Sequence, residues 1–517
     1  MRARMIIAAL SGAASVFAFA PFGYWPVQIV ALALLFYQVL RGGGVKRAAL
    51  IGWAYGTGLV AAGVHWLYVS LHYYGAMAAP LAALAVLLLA FGMGAYGALA
   101  MAGAAWLRQR WTLSLPLTNL LVLPVAWGLS ELVRGWLFTG FSWLSSGYAH
   151  NTSPLAGFAP LLGVYGLGWL AALCAGALLL LVHRSRKLAV GVLVVVMGAG
   201  FLFGRVSWTH AEGQPVSVRL LQGNVPQQEK FDPGFVLAAL NMYRDAITAQ
   251  GADLIATPET ALAVLPQQLP PEYLPALTAF AQQSHSHLLL GIPTSDGPDQ
   301  YANSAVGVAP AGQANALEQG YRYDKHHLVP FGEFIPLGFR WFTNLMSIPL
   351  GDMTRGATVQ AAFPVKDQLI LPNICYEDLF GEEIAEQLRS PVGGQKPATI
   401  LLNISNLAWF GNTIAIPQHL QISQMRSLET GRPMLRSTNT GATAVIGADG
   451  EVKGMLAPNT RATLSAKVQG MAGDTPYILF GNKLFLALAA LSLAAARLLS
   501  TRKAKREAPL AAPEKQV

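Results

Sequence analysis

The sequence predicts a multi-pass α-helical membrane domain of about eight transmembrane helices joined to one soluble α/β domain. Three observations predict it. Only 12% of the 517 residues are charged, against roughly 25% in ordinary soluble domains. The charge-free stretches are long: Met5 to Leu40, Ala48 to Leu107, Gly135 to His183 and Leu188 to Gly204 hold no Asp, Glu, Lys or Arg. Residues 212–476 read differently, with 23 acidic and 16 basic residues and short apolar runs of alternating strand and helix character.

A span needs roughly 20 apolar residues at 1.5 Å rise each. The first run is broken by Pro21-Phe22-Gly23-Tyr24-Trp25-Pro26, which leaves two short spans or a re-entrant hairpin. Ala48 to Leu107 holds two spans with a break near His72-Tyr73-Tyr74-Gly75. Further spans fit around Leu117–Trp136, Leu161–Val182 and Leu188–Gly204, and a last one at Tyr477–Ala496. Arg2, Arg4 and the Ala18-Phe19-Ala20 triplet also suit a signal peptide, but Pro21 is a poor residue after a cleavage site and more spans follow at once.

Charge placement sets the expected orientation. With the N-terminus in the cytoplasm, the inside segments carry Arg2, Arg4, Arg41, Lys46, Arg47, Arg108, Arg110, Arg184, Arg186, Lys187 and Arg497, then Arg502, Lys503, Lys505, Arg506 and Lys515. Outside, near the spans, stand only Arg134, Arg205 and Lys483. The positive-inside rule then puts residues 212–476 on the extracytoplasmic side and both termini in the cytoplasm. The expected organisation is a membrane domain at 1–211, a soluble domain at 212–476, a final span at 477–500 and a basic tail at 501–517. The net charge of +9 is thus a topology signal and no argument for a nucleic-acid partner.

Inside the soluble block, strands are expected at Val216–Leu221, Asp253–Ala256, Leu288–Ile292, Gln368–Ile374 and Thr399–Asn403, near Leu435, and at Ala442–Ile446. Helices are expected around Phe235–Gln250, Tyr273–Ser284 and Pro417–Thr430.

Of the two cysteines, Cys174 lies in an apolar span and reads as a packing residue. Cys375 stands where an apolar strand gives way to Tyr376-Glu377-Asp378, a place where a thiol can be exposed beside main-chain N–H groups that stabilise an oxyanion. Glu259, in Thr257-Pro258-Glu259-Thr260, follows another strand, and Lys325 and Glu333 share a Gly/Pro-punctuated loop. Singly, each reads more simply as a structural thiol or a solvated charge.

Taken together in the order Glu, Lys, Cys, each at a strand end, these residues resemble the nitrilase (carbon–nitrogen hydrolase) superfamily. Six further segments resemble its membrane-embedded branch, the apolipoprotein N-acyltransferase family: Leu221–Gln227, Lys325–Glu333, Ile374–Glu377, Gln418–Gln421, Leu428–Pro433 and Thr438–Gly441. The resemblance implies an αββα sandwich with Glu259, Lys325 and Cys375 as catalytic triad. It implies Glu333, Tyr376, Glu377 and Val329 as supporting residues, and Phe231, Asn303 and Trp341 as substrate contacts. It further implies acyl transfer from a phospholipid, through a Cys375 thioester, to the α-amino group of a diacylglyceryl-modified N-terminal cysteine of an apolipoprotein. No cofactor or metal is implied, and a monomer in a bacterial inner membrane is expected.

Two positions depart from that family's pattern. Phe231 stands where it usually has Trp, and Leu407 where it usually has Asp. Rival readings are a membrane-tethered amidase with water as acceptor and a transporter or scaffold with an inactive domain. The apolar residues after Lys325, among them Phe331, Phe334, Ile335 and Trp341, favour a lipid-contacting lid over the amidase. Gly92-Met93-Gly94-Ala95-Tyr96-Gly97 matches a dinucleotide fingerprint but lies inside a span, where helix packing explains it better. His285 with His287 and His326 with His327 lack the spacing of a zinc site. Glu131 and Arg134 read as a helix-end ion pair.

Overall fold

The computed structural model describes residues 1–182, 185–298, 300–310, 320–336, 338–340 and 352–507. Among these, six helices are long and apolar enough to cross a membrane: Trp25–Gly42, Ala79–Arg110, Leu115–Thr139, Pro154–Leu181, Arg186–Phe203 and Lys483–Thr501. Val45–Gly63 and Leu67–Tyr74, bent by 62°, make a seventh if they count as one span. The difference from about eight lies in the Pro-interrupted first run, where the helix Arg2–Ala14 and the turn Ser15–Ala18 form a shorter element.

Small residues set the helix packing. A Cβ on Gly52 would lie 2.2 Å from the Gly97 carbonyl oxygen, and one on Gly97 would lie 2.6 Å from that of Gly52. Backbones in van der Waals contact supply the association that hydrophobicity cannot supply between helices already in lipid. Gly94 and Gly97 of the fingerprint-like run are part of this seam, against Trp53 and Gly52.

The second domain is two six-stranded sheets. One runs Ala462–Val468, Val216–Gln222, Leu254–Ala256, His287–Gly297, Gln300–Val308, Arg322–Asp324. The other runs Val452–Met455, Ala444–Ile446, Met434–Thr438, Ile400–Ser405, Gln368–Ile374, Phe363–Val365. The central pairings of each are parallel, which suits strands covered on both faces. Val218, Leu220, Leu289 and Ala305 of the first sheet meet Ile370, Ile374, Leu402 and Leu435 of the second in one core. Helices Pro233–Thr248 and Tyr273–Ser284 cover the first sheet, and Gly381–Arg389 packs on the outer face of the second. The layers are therefore αββα.

The two parts are joined closely. Tyr376, Leu379, Phe380, Ile422 and Met425 belong to the same apolar cluster as the membrane helices. Polar contacts cross the same boundary, including Val164 N to Glu429 Oε1 at 2.8 Å and Trp143 Nε1 to Gln418 Oε1 at 2.8 Å. Glu131 and Arg134 do not form the expected ion pair. Glu131 Oε1 accepts from Ser146 N and Oγ, while Arg134 donates to Trp143 O and Ser145 Oγ. The loop after their helix supplies nearer partners than either gives the other.

Candidate active site

Four strands end at one point. Glu259 follows Leu254–Ala256, Lys325 follows Arg322–Asp324, Cys375 follows Gln368–Ile374, and Asn406 follows Ile400–Ser405. At the carboxyl ends of parallel strands the chain leaves the ladder, so side chains of separate loops can converge there.

Lys325 is 1% exposed and donates from Nζ to Glu259 Oε1 at 3.1 Å and to Glu333 Oε1 at 2.8 Å. Asn303 Nδ2 spans the same two carboxylates, at 2.7 and 2.8 Å. The second oxygens are held by main chain: Asn406 N to Glu259 Oε2 at 2.9 Å and Val329 N to Glu333 Oε2 at 2.8 Å. Lys230 Nζ donates to the carbonyl of Glu259 at 2.9 Å.

The electrostatics set a thiol beside a carboxylate. Burial, then the negative charges of Glu259 and Glu333, push the Cys375 thiol above its ordinary range, with Lys325 opposing. Burial alone would raise Glu259, yet the charges of Lys325 and Lys230 and the Asn303 hydrogen bond hold it below its usual value. Burial disfavours the Lys325 cation, but Glu259 and Glu333 outweigh it and hold its pKa above the usual lysine value. At neutral pH the resting state is thus a protonated thiol, an ionised Glu259 and a cationic Lys325. A thiolate, the reactive form of a cysteine, would form here only by losing that proton to a neighbouring group.

Cys375 itself has φ 53°, the left-handed region that costs a non-glycine residue roughly 1–2 kcal/mol. Its neighbours hold the turn. Glu377 accepts four hydrogen bonds: Ile374 N at 2.6 Å and Tyr323 Oη at 3.0 Å on one oxygen, His326 N at 2.7 Å and His327 N at 3.2 Å on the other. It therefore pins the Lys325 loop to the Cys375 turn. Tyr376 Oη donates to Gly140 O at 2.8 Å, tying that turn to the end of a membrane helix.

The structure thus brings together Glu259, Lys325, Cys375, Glu333, Asn303 and Val329, with Tyr376 and Glu377 beneath them. Phe231 is 57% exposed with its ring 6.0 Å from Lys230 Nζ, at the edge of the cluster, and Trp341 lies outside the described residues. Leu407 is buried against Ile416 and Ala442, an apolar setting suited to leucine. Sequence reasoning missed Asn406 and Lys230. Asn406 carries the same signal as Glu259, Lys325 and Cys375, a position just past an apolar strand, whereas Lys230 follows no strand and carries no such signal.

This fold and site define a carbon–nitrogen hydrolase domain, and residues 217–477 match the carbon-nitrogen hydrolase family. Residues 11–177 match the apolipoprotein N-acyltransferase N-terminal domain. The chain is 48% identical to the apolipoprotein N-acyltransferase of Ralstonia nicotianae, over 95% of this chain and 92% of that one. It is 42% identical to that of Bordetella bronchiseptica, over 95% and 96%. The chain belongs to the apolipoprotein N-acyltransferase family. Among solved structures, a CN-hydrolase superfamily protein of Xanthomonas campestris aligns over 54% of this chain and 97% of its own, at 14% identity and TM-score 0.38.

Proposed function

We propose that this enzyme moves a fatty acyl chain from a membrane phospholipid, through a thioester on Cys375, to the α-amino group of a diacylglyceryl-modified N-terminal cysteine of an apolipoprotein. The observation that carries the reading is the position of the nucleophile's turn: Tyr376, Leu379 and Phe380 share one apolar cluster with the membrane helices. A two-chain lipid reaches such a site without leaving the bilayer, which would cost about 0.8 kcal/mol per exposed CH₂.

The residues divide the chemistry as follows. Glu259 takes the Cys375 proton as sulfur attacks the ester carbonyl. Lys325 and the Tyr376 N–H stabilise the oxyanion. Collapse breaks the ester C–O bond, and Glu259 returns the proton to the departing lysophospholipid. The amine then attacks the thioester with Glu259 as base, and the thiolate leaves and is reprotonated. Glu333 shares Lys325 and Asn303 with Glu259, keeping the cation fixed while Glu259 changes charge.

The catalytic domain is placed outside the cytoplasm, with both termini inside, on the distribution of Lys and Arg. A cytoplasmic reporter fused after Ser500 should be active, and an inactive one would overturn that orientation. The function is tested with labelled phospholipid and a diacylated lipopeptide. Label should pass to the lipopeptide amine with one lysophospholipid formed per transfer. Release of free fatty acid with no acylated lipopeptide would instead make the enzyme a hydrolase.

A further inference from the structure

Behind the nucleophile lies a buried polar chain that the mechanism above does not use. His419 Nε2 stands 3.3 Å from the Cys375 carbonyl oxygen, and Asn403 Nδ2 donates to the same oxygen at 3.2 Å. His419 Nδ1 faces Arg436 Nη2 at 2.8 Å. Arg436 in turn pairs with Asp378 at 3.1 Å, both side chains wholly buried, and with Ser423. The Trp143 indole stacks on the His419 ring at 5.7 Å and 9°.

The tautomer follows from the partners. A guanidinium only donates, so Nδ1 must accept and the ring proton sits on Nε2, where it donates to Cys375 O. Burial and the Arg436 charge push the His419 pKa well down, which keeps the ring neutral. In a planar trans peptide the C=O and N–H point in opposite directions. Two donors fixed on Cys375 O therefore aim the N–H of Tyr376 the other way, out of the polar core. That N–H lies in the first turn of the short helix Cys375–Leu379, where no intrahelical carbonyl can reach it. Hydrogen bonds on the carbonyl also polarise the N–H of the same amide.

We infer that His419, oriented by Arg436 and helped by Asn403, is a positioning residue that presets the oxyanion-binding N–H of Tyr376. The inference deepens the reading above and rests on Cys375 as the acylated atom. It predicts a selective defect. Reactions of the thiol that pass through a tetrahedral oxyanion need the aimed N–H, and displacement on an alkyl halide does not.

The test compares two rates at Cys375 in the full-length enzyme: the nitrophenolate burst from p-nitrophenyl acetate and alkylation by iodoacetamide. His419→Ala should slow the burst roughly 10- to 100-fold, below the loss from deleting an oxyanion donor outright, and leave alkylation within about 2-fold. His419→Gln, whose amide can still donate, should recover much of the burst. Asn403→Leu removes the other donor without touching Arg436 and should show the same selectivity to a smaller degree, so the inference stays testable if His419→Ala fails to fold. An unchanged burst in these variants, a parallel fall in alkylation, or no burst in the wild type would overturn it. A wild-type burst without label transfer from phospholipid would count against the proposed donor and leave the positioning role supported.

Discussion

The membrane helices and the catalytic sandwich solve their packing by opposite means. Among the helices many close approaches are backbone on backbone, with Gly52 against Gly97 and Gly12 and Gly58 against carbonyls of Tyr55 and Ala9. In the sandwich, aliphatic side chains of two sheets interdigitate, and buried charges cluster at the strand ends. Lipid offers helices no hydrophobic gain on association, so close contact must come from missing side chains. Water offers the sandwich that gain, so it can hold charges in a dry site. The lesson is a division of labour: damage to the first region should change how much enzyme folds, and damage to the second how fast each folded molecule works.

The sharpest contrast is Cys375→Ala. It should abolish acyl transfer, by roughly 10⁴-fold or more, while the thermal midpoint in detergent moves by only about 2 °C. A large loss of stability would break the comparison. Lys325→Met comes next. It strips the shared cation from Glu259 and Glu333, so turnover per folded molecule should fall about 10³-fold, read on the folded fraction.

Gly97→Leu tests the other region. Its Cβ meets the Gly52 carbonyl oxygen, so about 1–3 kcal/mol of overpacking should cut the yield of folded enzyme, while turnover per folded molecule stays within about 3-fold. Normal yield with lost turnover would contradict the division.

The smallest effect concerns pH. Burial lowers the Lys230 amine from its ordinary value to about 8, with Glu259 and Cys375 opposing. Below pH 8 both folded and unfolded chains hold that proton, and the cost of burying the cation is fully present. Between pH 8 and the ordinary lysine value the unfolded chain binds more protons, so this group's contribution makes stability rise with pH. Relative to Lys230→Met, the wild-type thermal midpoint should therefore gain a few degrees between pH 7.5 and 10. A gap that stays constant would refute the buried cation.

Much of this was legible in the sequence. The spans, the sheet strands and the converging groups Glu259, Lys325 and Cys375 announce themselves locally, because each of these groups follows an apolar run that had to be a strand. What stayed hidden depends on convergence between distant loops. Nothing near Asn406 says that its N–H would meet Glu259, and nothing near His419 points to the carbonyl of Cys375. Glu131 and Arg134 were misread for the same reason, since their partners come from the loop that folds back over their helix. Phe231 shows the converse: its motif is visible, yet its side chain is largely exposed and reaches the clustered groups only through Lys230.

The central claim is a covalent one, that Cys375 carries the acyl chain. Incubating purified enzyme with labelled phospholipid and no acceptor, then measuring the mass of the Cys375 peptide, tests it most directly. The account predicts one acyl chain on that peptide, labile to hydroxylamine, discharged by a diacylated lipopeptide and absent in Glu259→Gln. Label that reaches the lipopeptide in single-turnover experiments without ever residing on Cys375 would contradict it.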